Sequence, residues 1–78
     1  MNNIVDEIMK ESLHIYKIKL NLISGIAIEI DCCKNFFVYD PETSELEIHE
    51  DNEEEREYLD KPIMSIKEED IESWEEWL

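Results

Sequence analysis

The sequence predicts an α+β fold: an N-terminal helix, a twisted antiparallel sheet of about five strands or a small open barrel, and a short C-terminal helix. Apolar residues recur at helical spacing near both ends of the chain, whereas the middle alternates between apolar and polar residues. Short connections between these segments favour antiparallel pairing. A length of 78 residues predicts a single small domain, 1–78, with one thin core.

The first segment, residues 3–13, is predicted to be a helix. Asp6 and Glu7 suit the positive N-terminal end of a helix. The apolar residues of the segment form one stripe at helical spacing, and they are Ile4, Val5, Ile8, Met9 and Leu13.

A first β-hairpin is predicted over residues 15–32. Residues 15–23 alternate between apolar and polar side chains, and residues 26–32 repeat the pattern. Gly25 lies between the two segments, where a tight turn favours glycine. The residues predicted to face the core are Tyr16, Ile18, Leu20, Leu22, Ile26, Ile28, Ile30 and Cys32.

A second hairpin is predicted from an aromatic strand at 36–39 and an alternating strand at 45–49. Asp40 and Pro41 favour the turn between them. In the second of these strands, Leu46 and Ile48 are expected to face the core. The residues expected to face solvent are Glu45, Glu47 and His49.

The last third of the chain is predicted to contain a charged loop, an edge strand and a helix. The loop covers 51–60, and the strand covers 63–66 directly after Pro62, which cannot donate a backbone hydrogen bond. Ser65 and the glutamate three residues later fit a capping box, so a helix is predicted over 67–77. Its apolar stripe would be Ile71, Trp74, Trp77 and Leu78.

Negative charge dominates the composition. The chain has 22 acidic residues, seven basic ones and a net charge of -15. Residues 1–40 have a net charge of -2 and residues 41–78 of -13, so the first half resembles a scaffold and the second an acidic face. Direct binding to nucleic acid or to an anionic membrane is therefore not expected, because both need basic side chains. The expected partner is a basic protein.

Acidic side chains of the second half, with one tryptophan, form the predicted binding surface. Alternate residues of a strand lie about 6.6 Å apart on one face, and neighbours three or four residues apart on a helix lie about 5–6 Å apart. Rows of carboxylates at these intervals resemble backbone phosphates, and tryptophan is enriched at interface hot spots. The predicted partner-binding residues are Glu45, Glu47, Glu50, Asp51, Glu53, Glu54, Glu55, Glu57, Glu68, Glu69, Glu72, Glu75, Glu76 and Trp77.

Neither a cofactor nor catalysis is expected from the sequence. An EF-hand loop beginning at Asp51 would place Arg56 at the glycine position and Pro62 at the final glutamate position, so that motif fails. No nucleotide-binding, hydrolase or metalloprotease motif is present. The remaining metal-ligand candidates match no zinc spacing, and they are His14, Cys32, Cys33 and His49.

Cysteine usage and the first residues predict a soluble, cytoplasmic protein. Cys32 and Cys33 are adjacent and form no disulfide framework, which is typical of a reducing compartment. The N-terminal residues lack the basic and then apolar pattern of a signal peptide.

These observations favour a small inhibitor that mimics nucleic acid and binds a basic nuclease or other nucleic-acid-binding complex. Viral inhibitors of host defence, of the anti-CRISPR or anti-restriction type, have this size and charge. One alternative is an immunity protein or antitoxin paired with a basic toxin. Another is a small scaffold or adaptor barrel, homodimeric or larger, whose acidic residues serve only solubility.

Overall fold

The computed structural model describes residues 4–51 and 62–77, and it confirms the α+β class. Helix α1 covers Ile4–Glu11, and a single 3-10 turn covers Glu68–Asp70. Six strands, rather than about five, complete the described part, and they do not close into a barrel. They are β1 (Lys17–Leu22), β2 (Ala27–Asp31), β3 (Asn35–Asp40), β4 (Glu45–Glu50), β5 (Met64–Lys67) and β6 (Ile71–Glu76).

The strands form two three-stranded antiparallel sheets, with the orders β2-β1-β6 and β3-β4-β5. Both predicted hairpins are confirmed, β1 with β2 and β3 with β4. Gly25 adopts a φ of 94° in the first hairpin turn, a conformation that favours glycine. Its N–H donates to the Leu22 carbonyl at 2.9 Å, which closes the turn.

The predicted C-terminal helix over 67–77 is wrong, since this segment forms the end of β5, the 3-10 turn and β6. The register between β1 and β6 shifts at Leu22, which lies opposite Ile71, while Asn21 lies opposite Ser73. This bulge inserts Glu72 as an extra residue. Ile71 and Trp74 therefore both contact the core three residues apart, a spacing that imitates a helix.

The core lies between the two sheets and α1. Its buried residues come from all three of these elements, and they are Val5, Ile8, Ile18, Leu20, Ile30, Phe37, Leu46, Ile48, Ile66 and Ile71. Three residues predicted to face the core do not, because Leu13, Tyr16 and Ile26 are exposed. Leu13 follows the end of α1 in a turn, while Tyr16 and Ile26 precede the strands to which they were assigned.

Helix α1 is held against both sheets. It contacts β3 and β6, and the Trp74 indole Nε1–H donates to Glu7 Oε1 at 2.8 Å. This bond fixes the first turn of α1 beside β6, the strand that carries Glu72, Glu75 and Glu76. The described part of the chain contains no helix with the length and apolar character required to cross a bilayer.

Candidate functional site

The predicted binding residues occupy three places in the described structure: β4, the 3-10 turn and β6. The loop residues Glu53, Glu54, Glu55 and Glu57 lie outside the described residues. Glu50 is exposed and Asp51 half-buried at the end of β4. Among the described residues, the predicted surface thus lies on both sheets, and its C-terminal part is a 3-10 turn and a strand instead of a helix.

The β4 carboxylates are less available than expected. Glu45 and Glu47 are half-buried, and the cross-strand neighbour of Glu45 is Lys67. Glu47 Oε1 lies 3.0 Å from the Nε2 of His49, within hydrogen-bond distance. Because Glu45 and Glu47 are half-buried and Glu47 already contacts His49, β4 presents fewer free carboxylates than its sequence indicates.

His49 does not face solvent as the alternation of β4 predicts. It is fully buried on the face opposite Leu46 and Ile48. Its ring stacks on Phe36, its cross-strand neighbour, with the ring centroids 5.3 Å apart and the planes 16° apart. A histidine that alternates with glutamates is typical of a surface position. The signal that could have indicated its burial is Phe36, the aromatic residue opposite it on β3.

The 3-10 turn joins the two sheets and carries Glu68, Glu69 and Asp70. The Tyr39 hydroxyl donates to Glu68 Oε2 at 2.7 Å, and the Glu68 N–H donates to the Ser44 carbonyl at 2.9 Å. Ser44 itself has a φ of 57°, in the left-handed region. These contacts hold Glu68 in place, whereas Glu69 is exposed.

A polar groove of about 440 Å³ lies where this turn meets the β3–β4 turn. Lys67 is its only basic lining residue among the described part of the chain, so carboxylates and hydroxyls set its character. The residues that line it are Thr43, Ser44, Lys67, Glu68 and Glu69. The described residues contain no group of three His, Cys, Asp or Glu side chains arranged to hold a metal ion.

Strand β6 presents most of the remaining exposed carboxylates. Glu72, Glu75 and Glu76 are all exposed. Lys19 Nζ lies 3.4 Å from Glu75 Oε1, the one lysine–carboxylate ion pair between described residues. Glu72 and Glu76 make no such ion pair within the described chain.

Trp77 lies directly after β6 and is 38% exposed. The Nζ of Lys17 lies 4.7 Å from its ring centroid, a cation–π contact that positions the indole on the outer face of the first sheet. Trp74, by contrast, packs against the core. Of the two tryptophans, Trp77 is therefore the more exposed.

The phenol of Tyr39 has a raised pKa, chiefly because its hydroxyl donates to the Glu68 carboxylate, which favours the neutral form. Burial also raises the pKa of the Cys32 thiol, with smaller contributions from Asp31 and Cys33. Both cysteines are free.

We expect the contribution of Tyr39 to stability to depend on pH. Because the pKa of its phenol is higher in the folded than in the unfolded chain, the stabilisation is complete below pH of about 10 and is lost as pH rises through the folded pKa. Urea unfolding at pH 8 should therefore show Tyr39→Phe as less stable than the wild type, and the difference should shrink above pH 10. Tyr16→Phe is the matched control, since Tyr16 is 73% exposed. A difference between Tyr39→Phe and the wild type that stays constant with pH would contradict the bond to Glu68.

Comparison with known protein families, with curated proteins and with solved structures finds no match for this chain. The functional argument therefore depends on the chain's own charge and geometry.

Proposed function

We propose that the protein is a small acidic inhibitor that binds a basic, nucleic-acid-handling protein at the surface which otherwise contacts phosphates. The observation that carries this proposal is the set of exposed carboxylates on the 3-10 turn and β6 that no described lysine neutralises. These are Glu69, Glu72 and Glu76.

The positions of the lysines support this proposal. Lys19 is paired with Glu75, Lys17 lies over the Trp77 ring, and Lys67 is the cross-strand neighbour of Glu45. The two lysines near β6 thus contact Glu75 and Trp77 on the outer face, and they leave Glu72 and Glu76 open. Uncompensated charge of one sign destabilises a compact chain, and it also steers an oppositely charged partner to the site.

A basic groove that evolved to bind phosphates offers such a partner. Nucleic-acid-binding surfaces present rows of Lys and Arg, and carboxylates on successive strand and turn residues can pair with those side chains as phosphates do. Electrostatic steering raises association rates by roughly 10- to 1000-fold. Trp77 would add an aromatic contact beside these charges. Inhibition is then competitive with nucleic acid.

The size and charge of the chain also favour one class of inhibitor. A virus-encoded inhibitor of a host nuclease, of the anti-CRISPR or anti-restriction type, needs a compact chain with a large negative surface rather than a catalytic pocket. The net charge of -15 on 78 residues fits this class.

Capture followed by competitive elution tests the proposal. The immobilised protein is exposed to a bacterial lysate at low salt, and bound proteins are eluted in parallel with duplex DNA, duplex RNA or neutral dextran. We expect nucleic-acid-binding proteins to be released by a duplex and by added salt, because the Debye length falls from about 10 Å at 0.1 M to about 3 Å at 1 M. Dextran should release none. Competitive mimicry would be refuted if the captured proteins remained bound in the presence of both duplexes. It would also be refuted if they had no affinity for nucleic acid.

A further inference from the structure

The pairing of β6 with β1 shows which backbone groups of β6 face away from β1. The Trp77 N–H donates to the Lys17 carbonyl at 2.9 Å. Hydrogen-bonded and non-hydrogen-bonded residue pairs alternate along antiparallel strands. Glu75, opposite Lys19, therefore directs its backbone toward β1, whereas Trp74 and Glu76 direct their N–H and carbonyl groups away from the sheet.

The pairing on the other side of β1 agrees with this assignment. The Leu22 N–H donates to the Ile26 carbonyl at 2.9 Å, and the Cys32 N–H donates to the Tyr16 carbonyl at 2.8 Å. Even-numbered residues of β1 thus bond toward β2, which leaves the odd-numbered ones for β6. Within residues 4–51 and 62–77, no further strand pairs with the outer edge of β6.

Charge determines which strand this edge can accept. An open edge is a template for another strand, and charged side chains limit which chains can pair with it. β6 carries Glu72, Glu75 and Glu76 and no basic residue. A second copy of β6 would set glutamates against glutamates, and like charges on neighbouring strands are destabilising. An extended segment rich in Lys and Arg would gain ion pairs at the same positions.

Apolar surface lies at both ends of this edge. At its start, the Ile23 N–H donates to the Asp70 carbonyl at 3.0 Å. A groove of about 390 Å³ lies there, lined by Leu22, Ile23, Ser24 and Asp70. At its end is the partly exposed ring of Trp77. Both surfaces lie beside β6, one at each end, and Glu72, Glu75 and Glu76 lie between them.

We propose that an extended basic segment of the partner adds to β6 as a fourth strand of the β2-β1-β6 sheet. Its backbone pairs with the outward N–H and carbonyl groups of Trp74 and Glu76, and its Lys or Arg side chains contact Glu72 and Glu76. This inference rests on the proposed function, because it takes the basic partner as given and specifies how that partner is held.

A synthetic peptide provides the probe. We use an acetylated, amidated eight-residue peptide that alternates Lys or Arg with Thr or Val, and the same peptide with every second backbone nitrogen methylated. Two methylated peptides are made, one with the odd-numbered and one with the even-numbered backbone nitrogens methylated. One of the two therefore lacks the N–H donors that face β6, and both keep every charge. We expect that peptide to bind about tenfold more weakly, since two or so hydrogen bonds of about the usual net strength are lost. Equal affinity of all three peptides would overturn strand addition.

Amide hydrogen exchange measured by NMR locates the contact. In the free protein, the amides of Trp74 and Glu76 should exchange quickly and that of Trp77 slowly, since the Trp77 N–H is bonded to Lys17. The unmethylated peptide should slow exchange at Trp74 and Glu76. If the peptide binds in a salt-sensitive way but exchange at Trp74 and Glu76 is not slowed, strand addition is wrong. That result would not contradict the proposed function. Absence of any binding by the basic peptide would overturn strand addition, whereas the proposed function fails only if the capture and elution experiment fails.

A substitution pair in the protein gives an independent check. Glu76→Pro removes an outward N–H and a charge, and an edge position of this kind tolerates proline. Glu76→Gln removes the charge alone. We expect the proline variant to bind the peptide about tenfold more weakly than the glutamine variant. Equal affinities of the two variants, with the proline variant folded by circular dichroism, would show that the contact is electrostatic only.

Discussion

Replacing Leu20 by alanine is expected to lower the free energy of unfolding by about 2–5 kcal/mol. Leu20 is fully buried at the middle of β1, the central strand of its sheet, between Ile28 on β2 and Trp74 on β6. A chain of 78 residues has a total stability of roughly 4–12 kcal/mol, so this loss removes a large share of it. Urea unfolding followed by tryptophan fluorescence measures the change, and Trp74 reports on this part of the core.

The matched control is Leu13→Ala. Leu13 carries the same side chain and belongs to the apolar stripe that the sequence predicts for the first helix, but it is 82% exposed. Its truncation should change the free energy of unfolding by no more than about 0.5 kcal/mol. Comparable losses in the two variants would mean that Leu13 belongs to the core and that α1 ends later than Glu11.

The sequence is sufficient to predict the elements whose periodicity is unbroken. Alternation of apolar and polar residues over 15–23 and 45–49 predicts β1 and β4, and the helical stripe predicts α1. The turn at Gly25 set the pairing of β1 with β2. Local patterns determine these elements, and a local turn determines the pairing of β1 with β2. No distant residue is therefore needed to predict them.

Strand β6 could not be predicted in this way, because its local pattern is misleading. The bulge at Glu72 places Ile71 and Trp74 on the core side at a spacing of three residues, as a helix would. What overrides this helical pattern is the free edge of β1, some fifty residues earlier in the chain. Asn21 Nδ2 also donates to Ser73 Oγ at 3.1 Å, a contact between residues far apart in sequence.

The candidate site shows the same division between local and distant information. Counting residues located the negative charge in the second half of the chain. It could not show that Glu47 lies beside a buried histidine or that Glu75 is paired with Lys19, since both depend on tertiary contacts. These contacts make the carboxylates unequal, and the strongest remaining candidates in the described structure are Glu69, Glu72 and Glu76.

Removing these three exposed carboxylates is expected to weaken binding strongly. In the triple variant Glu69→Gln, Glu72→Gln, Glu76→Gln, affinity for the captured basic partner should fall by roughly 3- to 150-fold, because each exposed ion pair contributes about 0.2–1 kcal/mol. Glutamine keeps the shape and the helix or strand preferences close to those of glutamate, so the fold should persist. Affinity is measured by isothermal titration calorimetry at two salt concentrations, and the slope of affinity against salt should also decrease.

A second triple variant distinguishes a located site from total charge. Glu11, Glu29 and Asp31 belong to the nearly neutral first half of the chain, at the end of α1 and on β2, and none is among the predicted partner-binding residues. Changing Glu11 and Glu29 to glutamine and Asp31 to asparagine removes the same number of charges. If recognition uses β6 and the 3-10 turn, this variant should bind the partner almost as tightly as the wild type. Equal losses in the two variants would mean that the partner responds to overall charge, and the surface around β6 would then have no special role. A larger loss of affinity in the second variant would place the binding surface on α1 and β2 instead.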